Sequence, residues 1–255
     1  MKIFIFDVDG TLTPSRQPMT KQFQKFFSEW VKKNNFYLVT GSDLPKLQEQ
    51  MDGYDIEAEA IFTCCGNQMW IPDPSIVNVS AYPIYENKFD LPKHLEEFLN
   101  IMLANSKYSH RYGNHIENRG SMVNFSIVGR DCTLEQRKDY FEWDKKHKER
   151  QKIANIIKSN NKDIDAVIGG EISIDIYPKG KDKSQIFRRI KTQLKSKHPM
   201  MDFEYVFFGD RIEEGGNDYP LAKLMEKTPN CKFHQVKDYR KTWWHLQRYE
   251  LGLEK

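Results

Sequence analysis

A short apolar run at the start of the chain breaks off into two aspartates. Lys2-Ile3-Phe4-Ile5-Phe6 is β-branched and aromatic, as expected of a strand that is buried on both faces of a parallel sheet. Asp7 and Asp9 follow it directly, within Asp7-Val8-Asp9-Gly10-Thr11-Leu12-Thr13. In open α/β sheets the carboxyl ends of the strands face the ligand crevice, because the following helices point their amino termini there. This break therefore predicts an α/β protein with its chemistry at the end of its first strand.

The two aspartates suit phosphoryl transfer. A fixed carboxylate can act as a covalent nucleophile toward phosphorus when a divalent cation neutralises the charge between the two anions. Asp7 is the candidate nucleophile, and Asp9 is placed to move a proton to or from the oxygen that attacks or leaves. Because Asp and Gly are common turn residues, an ordinary strand-to-loop turn is the alternative interpretation of this motif taken alone.

Length, charge and cysteine content bound the remaining possibilities. The chain has 255 residues, enough for one large α/β domain or two modest ones, and a net charge of +3 from 39 basic and 36 acidic side chains. Such a mixed charge does not call for nucleic acid or a membrane as partner. The four cysteines show no metal-type spacing, and no stretch approaches the roughly 18 apolar residues of a membrane span. A cytoplasmic protein with reduced thiols is expected.

A second strand is predicted to end beside the first. A helix with Thr20 as its expected N-cap joins the two strands. The second strand, Phe36-Tyr37-Leu38-Val39, breaks into Thr40-Gly41-Ser42-Asp43, where a hydroxyl of Thr40 or Ser42 could bind a transferring phosphoryl oxygen. The alternative is a plain N-cap for a helix from Leu44 to about Met51. The apolar stripe of the first helix, at helical spacing, is Phe23, Phe26, Phe27, Trp30 and Val31.

The middle of the chain has a different character from about Tyr82 onward. Its strands and helices do not alternate regularly, which indicates an α+β module inserted into the α/β core. We therefore expect a core of residues 1–81 and 182–255 and a cap of residues 82–181. The predicted cap elements are a helix over Pro92–Leu103, a hairpin of His115–Arg119 and Met122–Val128, one long charged helix from Thr133 to about Lys158, and strands at Ala166–Ile168 and Glu171–Tyr177.

Core-type sequence resumes after this insertion. A helix is predicted from Lys183 to about Leu194, and the strand Tyr205-Val206-Phe207-Phe208 ends in Gly209-Asp210. Carboxylates, waters and substrate phosphate are the usual ligands of Mg²⁺, so Asp7, the carbonyl of Asp9 and Asp210 form a candidate magnesium site. Lys183 would offset charge on the phosphoryl group. Taken singly, Asp210 could be a turn residue and Lys183 a surface lysine.

The inserted module carries groups suited to a sugar phosphate. Arg119, Arg130 and Arg137 could hold a phosphate dianion through their rigid fork of donors, although a lone arginine is usually a solvated surface cation. Strand alternation sends every second side chain of Glu171–Tyr177 to one face and three isoleucines to the other. The residues on the polar face are Glu171, Ser173, Asp175 and Tyr177.

These motifs resemble two nested families. The strand ends and Lys183 together resemble the haloacid dehalogenase superfamily, which implies a Rossmann-like core with a parallel sheet. The segments D-V-D-G-T-L-T-P-x-R-Q, G-G-x-I-S-x-D, G-x-D-K, F-F-G-D and G-G-N-D, with the spacing of the three arginines, resemble eukaryotic-type phosphomannomutase over nearly the whole chain. The resemblance implies Asp7 as nucleophile, Asp9 as acid/base, Asp7, Asp9 and Asp210 as Mg²⁺ ligands, and a hexose phosphate bound by Arg16, Arg119, Arg130, Arg137, Ser173 and Asp175.

The implied reaction interconverts mannose 1-phosphate and mannose 6-phosphate, with a hexose 1,6-bisphosphate as activator, and the resemblance also implies a homodimer through the cap. Two single positions and two segments depart from the family pattern. Thr40 replaces the usual glycine and resembles the sugar-phosphatase pattern, so a Mg²⁺-dependent sugar-phosphate phosphatase is the alternative function. Lys181 replaces a tryptophan, and the segment Tyr219–Leu224 lacks the acidic residue of a second cation site, so one metal is expected. Trp243-Trp244-His245 also lies in a segment unlike the family.

Overall fold

The computed structural model describes residues 1–51, 57–72 and 81–254. Two sheets organise these residues, a larger one in the order β11-β10-β1-β2-β3-β4-β5 and a smaller one in the order β6-β7-β9-β8. The strands are β1 Lys2–Phe6, β2 Asn35–Val39, β3 Ala60–Thr63, β4 Gln68–Pro72, β5 Ala81–Glu86, β6 Ile116–Asn118, β7 Val123–Ser126, β8 Ile164–Gly169, β9 Ser173–Pro178, β10 Glu204–Gly209 and β11 Cys231–Gln235. The helices are α1 Lys21–Val31, α2 Leu44–Gln50, α3 Lys93–Asn105, α4 Leu134–His147, α5 Glu149–Asn160, α6 Gln185–Lys197, α7 Tyr219–Glu226 and α8 Tyr239–Glu250.

Strand β1 lies inside the parallel part of the larger sheet, between β10 and β2. Phe6 is in register with Phe208 of β10 and with Leu38 of β2, so these three strands end at one edge of the sheet. Strands β3 and β11 extend the parallel part, while β4 and β5 are antiparallel. The predicted parallel α/β core is confirmed, and its register brings the loops after β1, β2 and β10 together.

Both faces of β1 are covered, as its apolar composition predicts. Phe4 and Phe6 face an aromatic cluster that includes Trp30 of α1, whose ring meets that of Phe4 edge to face at 4.8 Å. Ile3 and Ile5 face the opposite cluster, which contains apolar residues of α6 and α7. None of the described helices is both long and apolar enough to cross a membrane.

The predicted helix starts are partly correct. Asp43 caps α2, because its carboxylate accepts the backbone N–H of Lys46 at 3.1 Å. Thr20 precedes α1, but its hydroxyl makes no capping hydrogen bond. Lys183 lies in the turn before α6 rather than in the helix itself, which leaves its side chain free to point under the strand ends.

The smaller sheet places its apolar face on three helices and its other face toward the larger sheet. Its isoleucines at 172, 174 and 176 are buried in a cluster with apolar residues of α3, α4 and α5. Strand β5, Ala81–Glu86, belongs to the larger sheet, although residues from 82 onward were expected in the cap. The division of the chain into core and cap stays a prediction, and the strand pairing favours a boundary after Glu86.

The expected single helix from Thr133 to Lys158 is wrong, because the chain breaks at Lys148. Lys148 has φ 56° and ψ 34°, a left-handed conformation that ends α4. Asp144 stabilises the break, since its buried carboxylate accepts the backbone N–H of Arg150 at 3.0 Å and the Nε–H of the same residue at 2.8 Å. Residues 144–152 contain no apolar side chain, so the apolar pattern could not reveal the break.

Replacement of Lys148 by glycine should stabilise the protein. Glycine removes the strain of the left-handed conformation, which is about 1 kcal/mol. It also raises the conformational entropy of the unfolded chain, at a smaller cost in free energy, so we expect K148G to raise the free energy of unfolding by about 0.5 kcal/mol. The matched control, Lys138→Gly in the exposed middle of α4, should lower it by about 1 kcal/mol. Equilibrium denaturation by urea measures both values, and equal losses in the two variants would contradict the assigned backbone conformation.

Candidate active site

A cleft of about 510 Å³ separates the ends of β1, β2 and β10 from the polar face of the smaller sheet. Nearly all of the residues predicted for the site line this one cleft. Lys183 lies beneath it, hydrogen-bonded to Asp7. The predicted residues that line the cleft are Asp7, Asp9, Arg16, Thr40, Ser42, Arg119, Arg130, Arg137, Ser173, Asp175 and Asp210.

Three aspartates converge at the floor of the cleft. Ligand oxygens of Asp7, Asp210 and Asp218 lie within 4.8 Å of one another. The Lys183 ammonium donates to Asp7 Oδ1 at 2.6 Å and to Asp218 Oδ1 at 2.7 Å, and all three side chains are buried. Asp218 was not assigned a role from the sequence. The signal that could have identified it is the run Gly215-Gly216-Asn217-Asp218, which follows Asp210 closely. Nothing in that run shows that the chain folds back under β10.

Burial shifts the pKa values of Asp7 and Asp210. Desolvation raises the pKa of Asp7 to about 7, opposed by the Lys183 charge and assisted by that of Asp218. Burial, and then the charges of Asp7 and Asp218, raise the pKa of Asp210 well above its usual value. Two cations, Lys183 and the Arg211 guanidinium at 3.8 Å from Asp210 Oδ2, therefore face three carboxylates. An added divalent cation would relieve this surplus of negative charge, and carboxylate oxygens are the ligands that a hard cation prefers.

Asp9 is turned differently from the clustered carboxylates. Its Oδ1 accepts the backbone N–H of Arg16 at 2.7 Å, which fixes the loop after β1. Gly10, with φ 82°, lies so close to Asp210 that a Cβ atom there would be 2.7 Å from Asp210 Oδ2. Only glycine tolerates both the backbone conformation and this approach. The close approach places Asp210 against the backbone that follows Asp9, in agreement with a ligand role for the Asp9 carbonyl rather than its carboxylate.

Four arginines form the opposite wall. Each is held by a polar group of the cleft: Arg119 donates to the Gly41 carbonyl at 2.7 Å, Arg130 to Ser173 Oγ at 3.0 Å, Arg137 to Glu171 Oε2 at 2.6 Å and Arg16 to the Arg130 carbonyl at 3.2 Å. The bonds of Arg119 and Arg16 join the two walls. All four arginines line the cleft, as a role in ligand binding requires.

This wall carries more positive than negative charge. Glu117 and Glu171 are the carboxylates in salt bridges with Arg119, Arg130 and Arg137. Burial, followed by the charges of Arg119 and Arg16, lowers the pKa of Arg130 to about 9. Among the described residues, Arg130 Nε and Arg137 Nη1 are buried without a hydrogen-bond partner. Buried donors of this kind indicate that a ligand with acceptor oxygens belongs here.

Asp175 is held in place by neighbours that the sequence analysis did not identify. Its Oδ1 accepts from Asn124 Nδ2 at 2.8 Å, and its Oδ2 accepts from Asn217 Nδ2 at 3.2 Å. Asn124 stands opposite Asp175 in the β7–β9 register. Since Asn124 lies in the predicted hairpin, pairing of that hairpin with the strand of Asp175 is the signal that could have identified it. Asn217 comes from the loop before α7, and this hydrogen bond connects the smaller sheet to the larger one.

Thr40 and Ser42 both line the cleft but differ in exposure. Thr40 is almost fully buried, and its Oγ1 accepts the backbone N–H of Ser42 at 3.0 Å. Ser42 is half-buried. Thr40 thus shapes the turn that presents Ser42.

The chain is similar to known proteins over most of its length. A profile described as eukaryotic phosphomannomutase matches residues 23–247. A phosphomannomutase of Drosophila melanogaster is 36% identical over 230 residues, with 86% of this chain and 85% of that protein covered. A phosphomannomutase of Encephalitozoon cuniculi is 36% identical over 259 residues and covers 98% of this chain and 95% of its own. The chain belongs to the eukaryotic phosphomannomutase family.

Solved structures support the fold of this phosphomannomutase family member. The IMP-bound Plasmodium falciparum IMP-nucleotidase aligns with a TM-score of 0.62 at 16% identity and covers 98% of this chain and 68% of its own. A trehalose-6-phosphate phosphatase related protein aligns with a TM-score of 0.51 at 15% identity and covers 98% of both chains. At such identities the likeness concerns the fold alone, and it agrees with the predicted Rossmann-like haloacid dehalogenase core.

The positions that depart from the family pattern lie in different surroundings. Lys181 precedes the turn that carries Lys183, and its carbonyl accepts from Asn67 Nδ2 at 2.8 Å. Tyr219–Leu224, expected as a loop, forms most of α7, because Pro220 suits the first turn of a helix. Trp243 of α8 packs on Phe23 and Phe26 of α1 and so covers one face of the core.

Removal of the buried lysine should destabilise this phosphomannomutase family member in a pH-dependent way. Lys183→Met leaves Asp7 and Asp218 buried without their cation, so we expect a loss of about 3 kcal/mol of unfolding free energy at pH 8 in metal-free buffer. At pH 6, below the raised pKa of Asp7, the carboxyl group is neutral and the loss should be smaller. Urea denaturation at the two pH values measures the difference.

The control for this prediction is Lys195→Met, an exposed position on α6, which should change stability little at either pH. A K183M variant that loses the same free energy at pH 6 and pH 8 would contradict the proposed charge balance.

Proposed function

We propose that this protein interconverts mannose 1-phosphate and mannose 6-phosphate through a phosphoryl group carried on Asp7, with a hexose 1,6-bisphosphate as activator. The observation that carries the proposal is the juxtaposition of two opposite charges in one cleft. Asp7 stands at its floor, and buried donors of Arg130 and Arg137 that have no hydrogen-bond partner in the described part of the chain stand on the other wall. The relatives named phosphomannomutase support the same activity.

The first half-reaction transfers phosphate from the bisphosphate to Asp7. A carboxylate oxygen of Asp7 attacks phosphorus, the bond from phosphorus to the sugar oxygen breaks, and Asp9 gives that oxygen a proton. Lys183 holds Asp7 Oδ1 at 2.6 Å, whereas Thr11 Oγ1 reaches Oδ2 only at 3.5 Å, so Oδ2 is the freer nucleophile. In the second half-reaction Asp9 takes the proton of a sugar hydroxyl, which attacks the phosphoryl group and restores Asp7.

The residues at the floor of the cleft fit a magnesium ion. The ion would be held by Asp7, the carbonyl of Asp9 and Asp210. The Asp218 carboxylate lies within 4.8 Å of those of Asp7 and Asp210 and adds negative charge beside the ion. The chemistry that the ion supplies is neutralisation of the charge between the Asp7 carboxylate and the phosphoryl oxygens. Ser42 is our candidate for the hydroxyl that binds the transferring group, with Thr40 positioning its turn.

The arginines of the opposite wall favour a mutase over an enzyme that transfers phosphate only once. The bisphosphate formed on the enzyme must turn over and present its other phosphate to Asp7, so the far phosphate has to be bound in either orientation. Arg119, Arg130 and Arg137 would grip that phosphate, with Arg16 beside them. Ser173 and Asp175 would bind the hydroxyls of the sugar between the two ends.

The contacts between the two walls would protect the phosphorylated enzyme from water. Arg119 donates to the Gly41 carbonyl at 2.7 Å, Asn217 donates to Asp175, and the backbone of Ile168 donates to the Gly215 carbonyl at 2.9 Å. These contacts hold the two walls together over the cleft, and exclusion of water there would favour transfer to a bound sugar over hydrolysis. A homodimer through the cap and a cytoplasmic location stay predictions.

A sugar-phosphate phosphatase is the second candidate, and Thr40 is the residue that favours it. In that reaction water would take the phosphoryl group from Asp7, with Asp9 as its base. Both candidates use the same nucleophile, so only the fate of the phosphate separates them.

A product assay distinguishes the two functions. With mannose 1-phosphate, Mg²⁺ and a trace of hexose 1,6-bisphosphate, we expect mannose 6-phosphate to form without a matching release of inorganic phosphate. Arg137→Ala should lower kcat/KM by roughly 10- to 100-fold, the value of one or two charged hydrogen bonds to phosphate. Arg188→Ala, an exposed control on α6, should have no such effect. Phosphate release in step with substrate loss, with no mannose 6-phosphate, would refute the mutase.

Magnesium affinity should depend on pH through the shifted carboxyl groups. Because the pKa of Asp7 is about 7, protons compete with the cation at pH 6 but hardly at pH 8. The apparent affinity for Mg²⁺ should therefore be about tenfold lower at pH 6 than at pH 8. Titration calorimetry in two buffers of different ionisation enthalpy gives both the affinity and the number of protons released. An Asp90→Asn control, at an exposed position, should behave as wild type. Affinity that does not change with pH would contradict a site at Asp7.

A further inference from the structure

Two histidines and a glutamate, none of which lines the cleft, converge beside Phe208 of β10. His234 is on β11, His245 is on α8 and Glu254 follows α8, and their ligand atoms lie within 4.8 Å of one another. His245 Nδ1 is 2.9 Å from Glu254 Oε1, and His234 Nε2 is 3.7 Å from Glu254 Oε2. We call these three residues the His–Glu cluster. The proposed reaction uses none of them.

A defined backbone motif places Glu254 in this cluster. Gly252 has φ 67°, and its N–H donates to the Tyr249 carbonyl at 3.1 Å, while the N–H of Leu253 donates to the Arg248 carbonyl at 2.9 Å. These are the two hydrogen bonds of a Schellman motif, which reverses the chain at the end of α8. The reversal carries Glu254 back along the helix to His245, nine residues earlier. Its position is thus built by the backbone and not by the carboxylate contacts alone.

The surroundings of the cluster hold the imidazole rings in place. The centroids of His234 and His245 are 4.2 Å apart, and His234 stacks on Phe208 at 4.8 Å. Two charged imidazolium rings at this distance would repel each other, so the packing favours a neutral ring, which is the form that binds metals. Arg248 Nε donates to Glu254 Oε1 at 3.0 Å, and thereby orients the carboxylate while leaving Oε2 toward His234.

The donor spacing matches that of a bound transition metal. Nitrogen and oxygen ligands at about 2.0–2.1 Å from a tetrahedral zinc ion lie about 3.3 Å from one another. The histidine nitrogens lie 2.9, 3.0 and 3.7 Å from the Glu254 oxygens, on either side of this value, and the ligand atoms of the two histidines are within 4.8 Å of each other. Two imidazoles and one carboxylate form a donor set typical of Zn²⁺ and related ions, whereas Mg²⁺ prefers oxygen ligands alone.

We propose that His234, His245 and Glu254 form a binding site for Zn²⁺ or a similar transition-metal dication. The ion joins β11, α8 and the segment that follows α8. Tyr249, whose hydroxyl is 2.8 Å from His234 Nε2, either releases that nitrogen or becomes a further ligand. Because His234 stacks on Phe208, two residues before Asp210, the site stabilises the strand that carries the floor of the cleft.

Metal binding to the untagged, chelator-treated protein tests the proposal. Excess Mg²⁺ is kept present to occupy the carboxylates of the cleft, and Zn²⁺ is added. We expect one tightly bound Zn²⁺ per chain by equilibrium dialysis and, at a hundredfold excess over Kd, a rise in Tm of about 5 °C or more. Co²⁺ in the same site should show the intense visible absorption of a four-coordinate ion, a signature that activity does not provide.

Matched variants identify the ligands. His245→Gln and Glu254→Gln should weaken Zn²⁺ binding at least tenfold and remove the Co²⁺ absorption, while their metal-free Tm reports whether they fold. His198→Gln, an exposed histidine outside the cluster, should bind as wild type. Asp7→Asn, which alters the cleft, should also keep the Zn²⁺ stoichiometry. The proposal is overturned if H245Q and E254Q bind Zn²⁺ as wild type does, if D7N abolishes binding, or if wild type binds no Zn²⁺, in which case the cluster is a hydrogen-bond network only.

Discussion

The buried Lys183 ammonium, shared between Asp7 and Asp218, is the interaction on which the site depends. It brings together three parts of the chain that are far apart in sequence: the end of β1, the turn before α6 and the loop before α7. Charges buried without partners are costly, so each of the three groups needs the other two. The parallel sheet supplies the positions, because β1 and β10 end at the same edge.

The register of the sheet explains why so much of the site could be predicted. An apolar strand that runs into polar residues indicates where the carboxyl ends of the strands meet. Such a strand precedes each of Asp7, Thr40 and Asp210. Strand alternation likewise places Ser173 and Asp175 on one face of β9, where both line the cleft. Local periodicity therefore contains most of the information about these residues, and the family resemblance adds the arginines.

The parts that were missed depend on individual contacts that the apolar pattern does not show. Asp218 lies in a loop whose path back under β10 no local pattern shows. The break at Lys148 is set by a side chain, Asp144, that bonds to backbone beyond the helix end. Strand β5 pairs with β4 in the larger sheet, although the sequence character has already changed there. In each case a specific hydrogen bond, rather than propensity, decides the structure.

The two walls of the cleft carry opposite charge surpluses that do not neutralise each other directly. Carboxylates crowd the floor, and guanidinium groups crowd the opposite wall, where burial and like charges lower the pKa of Arg130 to about 9. A sugar bisphosphate with a cation would balance both walls, since the cation meets the carboxylates and the far phosphate meets the arginines. Such a ligand would add an electrostatic link between the two walls to the hydrogen bonds that already join them, from Arg119 to the Gly41 carbonyl and from Asn217 to Asp175.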